Sequence, residues 1–173
     1  MRLAVIPARG GSKRIPRKNI RPFCGMPIIG YSIAAARASG VFDNVVVSTD
    51  DPEIAEVARR HGAETPFSRP AELASDFAGT LPVIRHAIEA MRDRGVDPEL
   101  VCCIYATAPF IEAADLRRGL EALLASDADY AFTATSFGYP IHRAFTINAN
   151  GRIEMFQPDN YRKRSQDLAE AFH

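Results

Sequence analysis

Short apolar runs alternate with longer amphipathic stretches along most of this chain. The short runs are typical of buried strands, and stretches with apolar residues three or four positions apart are typical of helices. Strands are predicted at residues 3–8, 45–49, 101–106 and 130–135, with a short extended segment at 64–67. Helices are predicted at residues 27–39, 52–61, 80–94 and 113–125. This alternation predicts a mostly parallel sheet with helices on both faces, a three-layer α/β/α fold.

Prolines and glycines mark the ends of the predicted helices. Pro27 and Pro82 fall in first turns, where a missing backbone N–H costs no hydrogen bond. Gly40 and Gly95 follow last turns, where glycine readily adopts a left-handed conformation. Thr80 is a candidate N-cap, because its hydroxyl can accept a hydrogen bond from a free N–H of the first turn.

A different pattern begins near residue 140. Two short apolar runs flank Asn150-Gly151, a dipeptide that is typical of β-hairpin turns. Residues 140–160 are therefore expected to form a small β excursion from the sheet. The chain then becomes polar and basic, and it reaches His173 without another strand or helix. Because uncovered sheet edges expose apolar surface, we expect a single domain, residues 1–173, whose C-terminal part is missing.

The composition argues against several classes of protein. With 173 residues the chain has the length of one domain. Its formal net charge is zero, whereas nucleic-acid binders are usually basic. No apolar run is long enough to span a bilayer and no signal peptide precedes the first strand, so a cytoplasmic location is expected. The adjacent Cys102 and Cys103 give neither a disulfide framework nor zinc-site spacing. We expect both to be core residues on opposite faces of a strand.

The most informative segment is the basic loop, residues 7–19, between the first strand and the first helix. Gly10 and Gly11 carry no Cβ, so the backbone can turn tightly and approach a ligand closely. Backbone amides in such a turn can form a concave anion site, which suits a polyphosphate. The alternative is a solvated basic turn, since the segment has neither P-loop nor Rossmann spacing. The cations around the turn are Arg9, Lys13, Arg14, Arg17 and Lys18.

Other polar side chains follow the predicted strands at their carboxyl ends, where ligands bind in open α/β sheets. Asp50 and Asp51 follow the second strand, and Tyr105 and Thr107 lie at the end of the third. Their convergence favours one shared pocket. Each also has a structural interpretation: Asp51 as a helix cap, Tyr105 as a core residue and Thr107 as part of an ordinary turn.

Five separated motifs carry a resemblance to a known family. In order and spacing they resemble the nucleotidyltransferases that activate acidic sugars with CTP. Sialic acid members usually have Gln-Pro-Thr-Ser-Pro where this chain has the last motif, so the chain is most similar to the pseudaminic acid branch. The motifs are residues 7–19, the Val-Ser-Thr-Asp stretch ending at Asp50, Arg69-Pro70-Ala71-Glu72-Leu73, Ser75-Asp76 and Tyr105-Ala106-Thr107-Ala108-Pro109.

The resemblance implies a Rossmann-like nucleotide-diphospho-sugar transferase fold. It implies that CTP and an acidic nine-carbon sugar, pseudaminic acid, give the CMP-sugar and pyrophosphate, with Arg9 and Lys18 acting in catalysis on the triphosphate. The implied nucleotide contacts are Arg9, Gly10, Gly11, Ser12, Lys13, Lys18, Asn19 and Thr80. The candidate sugar contacts, in which an arginine fork would suit a carboxylate, are Tyr105, His142, Arg143, Arg164 and Gln166.

The resemblance also implies Mg²⁺ as cofactor, a homodimer that uses the β excursion, and no nucleic-acid or membrane partner. Its metal-holding aspartates would lie beyond His173, so the metal ligands of this chain are unknown. Three alternatives stay open for the function. One is activation of another acidic sugar, sialic acid or an eight-carbon ulosonate, and another is a non-catalytic fragment that binds CTP. The third is a purely structural protein that uses its basic tail to bind an acidic protein. Residues 162–164 are equally explained as a solvated or dimer-facing basic segment.

Overall fold

The computed structural model describes residues 1–173, which form two compact units. The first unit is Met1–Asp129 and the second unit is Tyr130–His173. The elements of the first unit are β1 (Arg2–Pro7), β2 (Pro22–Phe23), β3 (Met26–Pro27), α1 (Ile28–Ser39), β4 (Asn44–Ser48), α2 (Pro52–Arg60), α3 (Thr80–Arg92), β5 (Leu100–Cys103) and α4 (Ala113–Leu124). None of these helices is long and apolar enough to cross a membrane.

The main sheet of the first unit has three parallel strands in the order β4-β1-β5. Side chains of β1 alternate between its two faces, as the pleat of a strand requires. On one face Ile6 packs with Ile33 of α1 and Ile54 of α2, and on the other Val5 packs near Met91 of α3. Helices therefore cover both faces, and the predicted three-layer α/β/α fold with a mostly parallel sheet is confirmed.

The helix boundaries differ slightly from those predicted. The N-cap of α3 is Gly79, with an extended backbone, and Thr80 is already the first helical residue, so the expected Thr80 cap is wrong. The same helix ends at Arg92, because the following residues form a turn that closes when the Val96 amide donates to the Met91 carbonyl. At the end of α1, Gly40 adopts the expected left-handed conformation with φ of 68°.

Two of the predicted extended segments do not become strands of the main sheet. Residues 130–135 were expected to form a strand, but the structure has none there, and Tyr130 and Phe132 are exposed. Within the second unit, Thr135 instead exchanges two backbone hydrogen bonds with His173. Residues 64–67 contribute only one isolated parallel bridge, from Glu64 to Val46 of β4. Apolar composition alone did not supply a hydrogen-bonding neighbour, which a strand needs.

The pleat of β5 turns the side chains of the two adjacent cysteines to opposite faces of the sheet. Cys102 packs against the core, and burial raises the pKa of its thiol to about 11. Cys103 points to the other face and is exposed, so the expectation that both are core residues is wrong for Cys103. The strand is also shorter than predicted, although the Ile104 amide still donates to the Val5 carbonyl.

The second unit contains the predicted hairpin, formed by β6 (Phe145–Ile147) and β7 (Ile153–Met155). Its tight turn closes when the Gly151 amide donates to the Asn148 carbonyl over 2.9 Å. Gly151 has φ of +72°, a left-handed conformation that glycine adopts without steric cost. The Asn-Gly dipeptide thus located the turn correctly.

Candidate active site

A cavity of about 160 Å³ opens at the carboxyl ends of β1 and β5. This is the edge of a parallel sheet where ligands are expected to bind. Its lining comes entirely from the first unit and combines residues that follow both strands with the start of α3. The polar residues that line it are Arg9, Ser12, Lys18, Asn19, Arg69, Ser75, Thr80, Tyr105 and Thr107.

Hydrogen bonds, one of them to a residue distant in the sequence, hold the backbone of the basic loop in place. The Gly10 amide donates to Asp50 Oδ1 over 3.0 Å, and Asn19 Nδ2 donates to the Arg9 carbonyl over 2.9 Å. A Cβ on Gly10 would lie 2.6 Å from Asp51 Oδ2, so only glycine allows this close approach. The Ser12 amide donates to the Gly10 carbonyl. The amides of Gly10 and Ser12 therefore already donate hydrogen bonds within the protein. The argument for an anionic ligand rests on the cationic side chains of the loop instead.

Arg17 points towards α2 rather than towards the cavity. It has a left-handed backbone with φ of 56°, and its guanidinium pairs with both Asp51 and Glu53. Asp51 also accepts hydrogen bonds from the Glu53 and Ile54 amides, at 2.9 and 3.1 Å, so its interpretation as the cap of α2 is confirmed. The Arg17 contact lowers the pKa of the Asp51 carboxyl. This pair joins the basic loop to the sheet edge and leaves Arg17 a structural cation.

Asp76 connects two of the cations that the sequence assigned to the triphosphate. One carboxylate oxygen lies 2.7 Å from Arg9 Nη1, and the other lies 2.6 Å from Lys13 Nζ. These contacts, first that with Lys13 and then that with Arg9, lower the pKa of the Asp76 carboxyl. Lys18 also lines the cavity, and it takes part in none of the ion pairs of the chain.

Arg69 is a residue of the cavity that the sequence prediction missed. Only 5% of it is exposed, its Nε lies 3.1 Å from Ser48 Oγ, and its Nη2 donates to the Ser48 carbonyl. Burial lowers the pKa of this guanidinium, and no carboxylate lies within ion-pair distance of it. A buried arginine is usually paired with a negative charge, and Arg69 has only the hydroxyl and the carbonyl of Ser48, so this side chain favours an anionic or carbonyl-bearing ligand beside it. The Arg69-Pro70 motif was visible in the sequence, but its burial was not.

Thr80 and Tyr105 lie side by side in the wall of the cavity. Their hydroxyl oxygens are 3.2 Å apart, and the Tyr105 ring is exposed rather than packed in the core. The core interpretation of Tyr105 is therefore wrong, because the strand ends before it and its side chain lies at the cavity. The Tyr105 carbonyl accepts a hydrogen bond from Ser32 Oγ of α1 over 2.8 Å, which fixes the backbone at this position.

The remaining candidate sugar contacts, His142, Arg143, Arg164 and Gln166, belong to the second unit. Arg143 Nη1 lies 3.3 Å from Ser165 Oγ, and Arg164 Nε lies 2.7 Å from Asp167 Oδ2. The His142 carbonyl accepts a hydrogen bond from Asn160 over 3.3 Å, while Gln166 lies in the 3-10 turn Ser165–Asp167. Their role towards a sugar stays a prediction.

The carboxylates around the basic loop do not form a metal site. No group of three or more His, Cys, Asp or Glu side chains is arranged to hold a metal ion. Asp50, Asp51 and Asp76 are each engaged with an amide or a cation of the basic loop. Magnesium usually binds through one or two carboxylates together with substrate phosphates. The residues present offer single carboxylates rather than a ready-made cluster, so a magnesium ion here would need substrate phosphates among its ligands.

Comparisons with known proteins identify the family of this chain. A cytidylyltransferase family model matches residues 3–166. The pseudaminic acid cytidylyltransferase of Campylobacter jejuni is 48% identical over 171 residues, which is 99% of this chain and 74% of that protein. The CMP-N,N'-diacetyllegionaminic acid synthase of Legionella pneumophila is 38% identical over 119 residues, 69% of this chain and 51% of that protein.

A solved structure extends the comparison of the fold. The CMP:2-keto-3-deoxy-manno-octonic acid synthetase complexed with CTP superimposes with a TM-score of 0.67 at 20% identity. The match covers 99% of this chain and 70% of that chain. At this identity the likeness supports the fold alone.

Proposed function

Because this chain belongs to the cytidylyltransferase family, we propose that it transfers the cytidylyl group of CTP to pseudaminic acid. The products are the CMP-sugar and pyrophosphate. The observation that carries the proposal is the convergence of Arg9, Lys18 and Arg69 on one cavity at the carboxyl edge of a parallel sheet. The choice of sugar rests on the names of the relatives, of which the Campylobacter jejuni protein matches 99% of this chain.

The proposed reaction is an in-line displacement at phosphorus. The oxygen of the sugar's anomeric hydroxyl attacks the α-phosphorus of CTP and loses its proton to solvent, while the bond from the α-phosphorus to the bridging oxygen breaks and pyrophosphate leaves. Such a transfer needs no covalent enzyme intermediate, so the protein acts by positioning and by charge stabilisation. Arg9 and Lys18 would offset the charge that grows on the departing pyrophosphate, with Lys13 beside them.

The other contacts divide between nucleotide and sugar. Asn19 keeps the Arg9 carbonyl in place, and Arg69 and Thr80 offer buried or half-buried donors to the cytidine part. Tyr105, which lines the same cavity, is the proposed contact of the sugar in the first unit. The second-unit residues named above stay candidates for the sugar's carboxylate.

Magnesium and a homodimer, which rest on the family resemblance, complete the proposal together with a cytoplasmic location, which rests on the apolar pattern of the sequence. Mg²⁺ would arrive with the triphosphate, since it characteristically binds through substrate phosphates. The carboxylates of this chain form no group of three or more that could hold the ion by themselves, and the reaction is written without a step on the metal.

Pyrophosphate release tests the proposal directly. The chain is mixed with Mg²⁺, CTP and pseudaminic acid, with sialic acid and legionaminic acid as parallel substrates. Release with pseudaminic acid that exceeds release with the other two acids supports the proposal. CTP binding without release for any acid would favour the nucleotide-binding fragment instead, and the absence of both would overturn the function.

A further inference from the structure

Asp76 forms ion pairs with two of the cations that a triphosphate would need, Arg9 and Lys13. We propose that Asp76 is an internal competitor, which holds Arg9 and Lys13 until the phosphates of the nucleotide displace it and which returns as pyrophosphate leaves. The inference rests on the proposed function, because it assigns those phosphates to the basic loop. It goes beyond that function by giving a role to a carboxylate that the proposed reaction does not use.

The geometry of the contact supports competition rather than shared binding. The two oxygens of Asp76 each take one cation, Arg9 at 2.7 Å and Lys13 at 2.6 Å. A phosphate that reached the same two cations would place its negative oxygens against the carboxylate. Like charges at such separations repel, so the carboxylate and the phosphate exclude each other from this pair of cations.

The segment that carries Asp76 is poorly anchored elsewhere. The one further side-chain contact comes from Arg9 itself, whose Nη1 lies 3.4 Å from the Ala74 carbonyl, and α3 begins at Thr80 after an N-cap, Gly79, that offers no side-chain hydrogen bond. Phe77, the residue after Asp76, is 98% exposed, so its ring does not anchor the segment in the core. Ser75 lines the cavity, so release of Asp76 would free a stretch of the cavity's own rim.

Competition of this kind lowers the affinity for every ligand that needs the two cations. The apparent dissociation constant is the intrinsic constant divided by the fraction of molecules in which the cations are free. The apparent dissociation constant of a ligand without phosphates is not raised, because that ligand does not need the two cations. The contact therefore weakens CTP and pyrophosphate equally and leaves cytidine unaffected, and its consequence for turnover is easier release of pyrophosphate.

Titration calorimetry of Asp76→Asn with CTP, inorganic pyrophosphate and cytidine tests the proposal. Removing two exposed ion pairs should tighten CTP and pyrophosphate by about threefold to tenfold. Cytidine affinity should not change, a pattern that general damage to the cavity cannot produce. Pyrophosphate should become a stronger product inhibitor by the same factor.

Two matched variants control for charge and for side-chain size. Glu72→Gln removes one negative charge from the same segment, but Glu72 is exposed and forms no ion pair, so wild-type affinities are expected. Asp76→Glu keeps the charge and should also keep wild-type affinities. Unchanged or weaker binding of CTP and pyrophosphate by Asp76→Asn would overturn the inference. Pyrophosphate is an independent probe: if the wild type binds it but not CTP, the proposed function fails while the competition is still measured.

Discussion

The basic loop and the second unit both contain clusters of basic residues, but the structure holds those residues in different ways. In the basic loop, Gly10, Arg9 and Arg17 contact acidic residues 34 to 67 positions further along the chain. In the second unit, Arg164 pairs with Asp167, three residues away on the same turn. Long-range contacts fix a cation with respect to the sheet, whereas a local pair fixes it only with respect to its own turn. A positive residue is therefore a strong site candidate when distant parts of the fold position it.

The largest difference is expected between Arg9→Ala and Arg164→Ala. Loss of Arg9 removes a charge-assisted contact with the triphosphate, so CTP affinity should fall about tenfold to a hundredfold. Arg164 lies outside the residues that line the cavity, so its removal should leave CTP affinity within about twofold, the usual scale of an exposed pair. Calorimetry on both variants makes the comparison. Equal losses would mean that the basic loop has no special role in nucleotide binding.

A steric change in the basic loop should have the next largest effect. In Gly10→Ala the new methyl group meets Asp51 Oδ2 at 2.6 Å, and relieving the clash should cost about 1–3 kcal/mol of stability with weaker CTP binding. Gly11→Ala is the matched control, because a Cβ there meets nothing within 4 Å. Denaturant unfolding and CTP titration of both variants provide the measurement. A Gly11→Ala variant as damaged as Gly10→Ala would show that flexibility, not close approach, explains the glycine pair.

The attachment of the basic loop to α2 should show in the pH dependence of stability. The pKa of Asp51 is lowered in the folded state, so its stabilising contribution is present above the ordinary value of 3.8 and is lost as pH falls through the lowered pKa. Asp51→Asn keeps a good helix cap but loses the pair with Arg17, and should cost about 0.5–1 kcal/mol near neutral pH.

Urea unfolding of Asp51→Asn and the wild type across the acidic range provides the measurement. The stability difference between the two proteins should shrink as pH falls below 3.8. A difference that persists unchanged at the lowest pH would mean that the Asp51 charge contributes nothing to stability. CTP affinity at neutral pH should fall by no more than about threefold, since Arg17 points away from the cavity.

The sequence predicted features that depend on local patterns and missed those that depend on contacts between distant residues. The fold class, the basic loop and the hairpin at Asn150-Gly151 were predictable, because each depends on local pattern or turn chemistry. The partners of the basic loop were not, because nothing in the sequence shows that Asp76 meets Arg9 and Lys13. Arg69 was overlooked for the same reason. Its burial results from packing between segments that are distant in the sequence. Residue type alone would predict an exposed side chain, because arginines are rarely buried.

The smallest effect on nucleotide binding is expected from a change in the second unit. Gly151 has φ of +72°, so Gly151→Ala strains the hairpin turn and should cost about 1 kcal/mol of local stability. All residues that line the cavity lie in the first unit, so CTP affinity should stay at the wild-type value. Hydrogen exchange at the β6 and β7 amides, beside CTP titration, measures both quantities. Faster exchange with unchanged CTP affinity would support a nucleotide site built by the first unit alone. A clear loss of affinity would instead make the second unit part of nucleotide binding and would remove the contrast between the two regions.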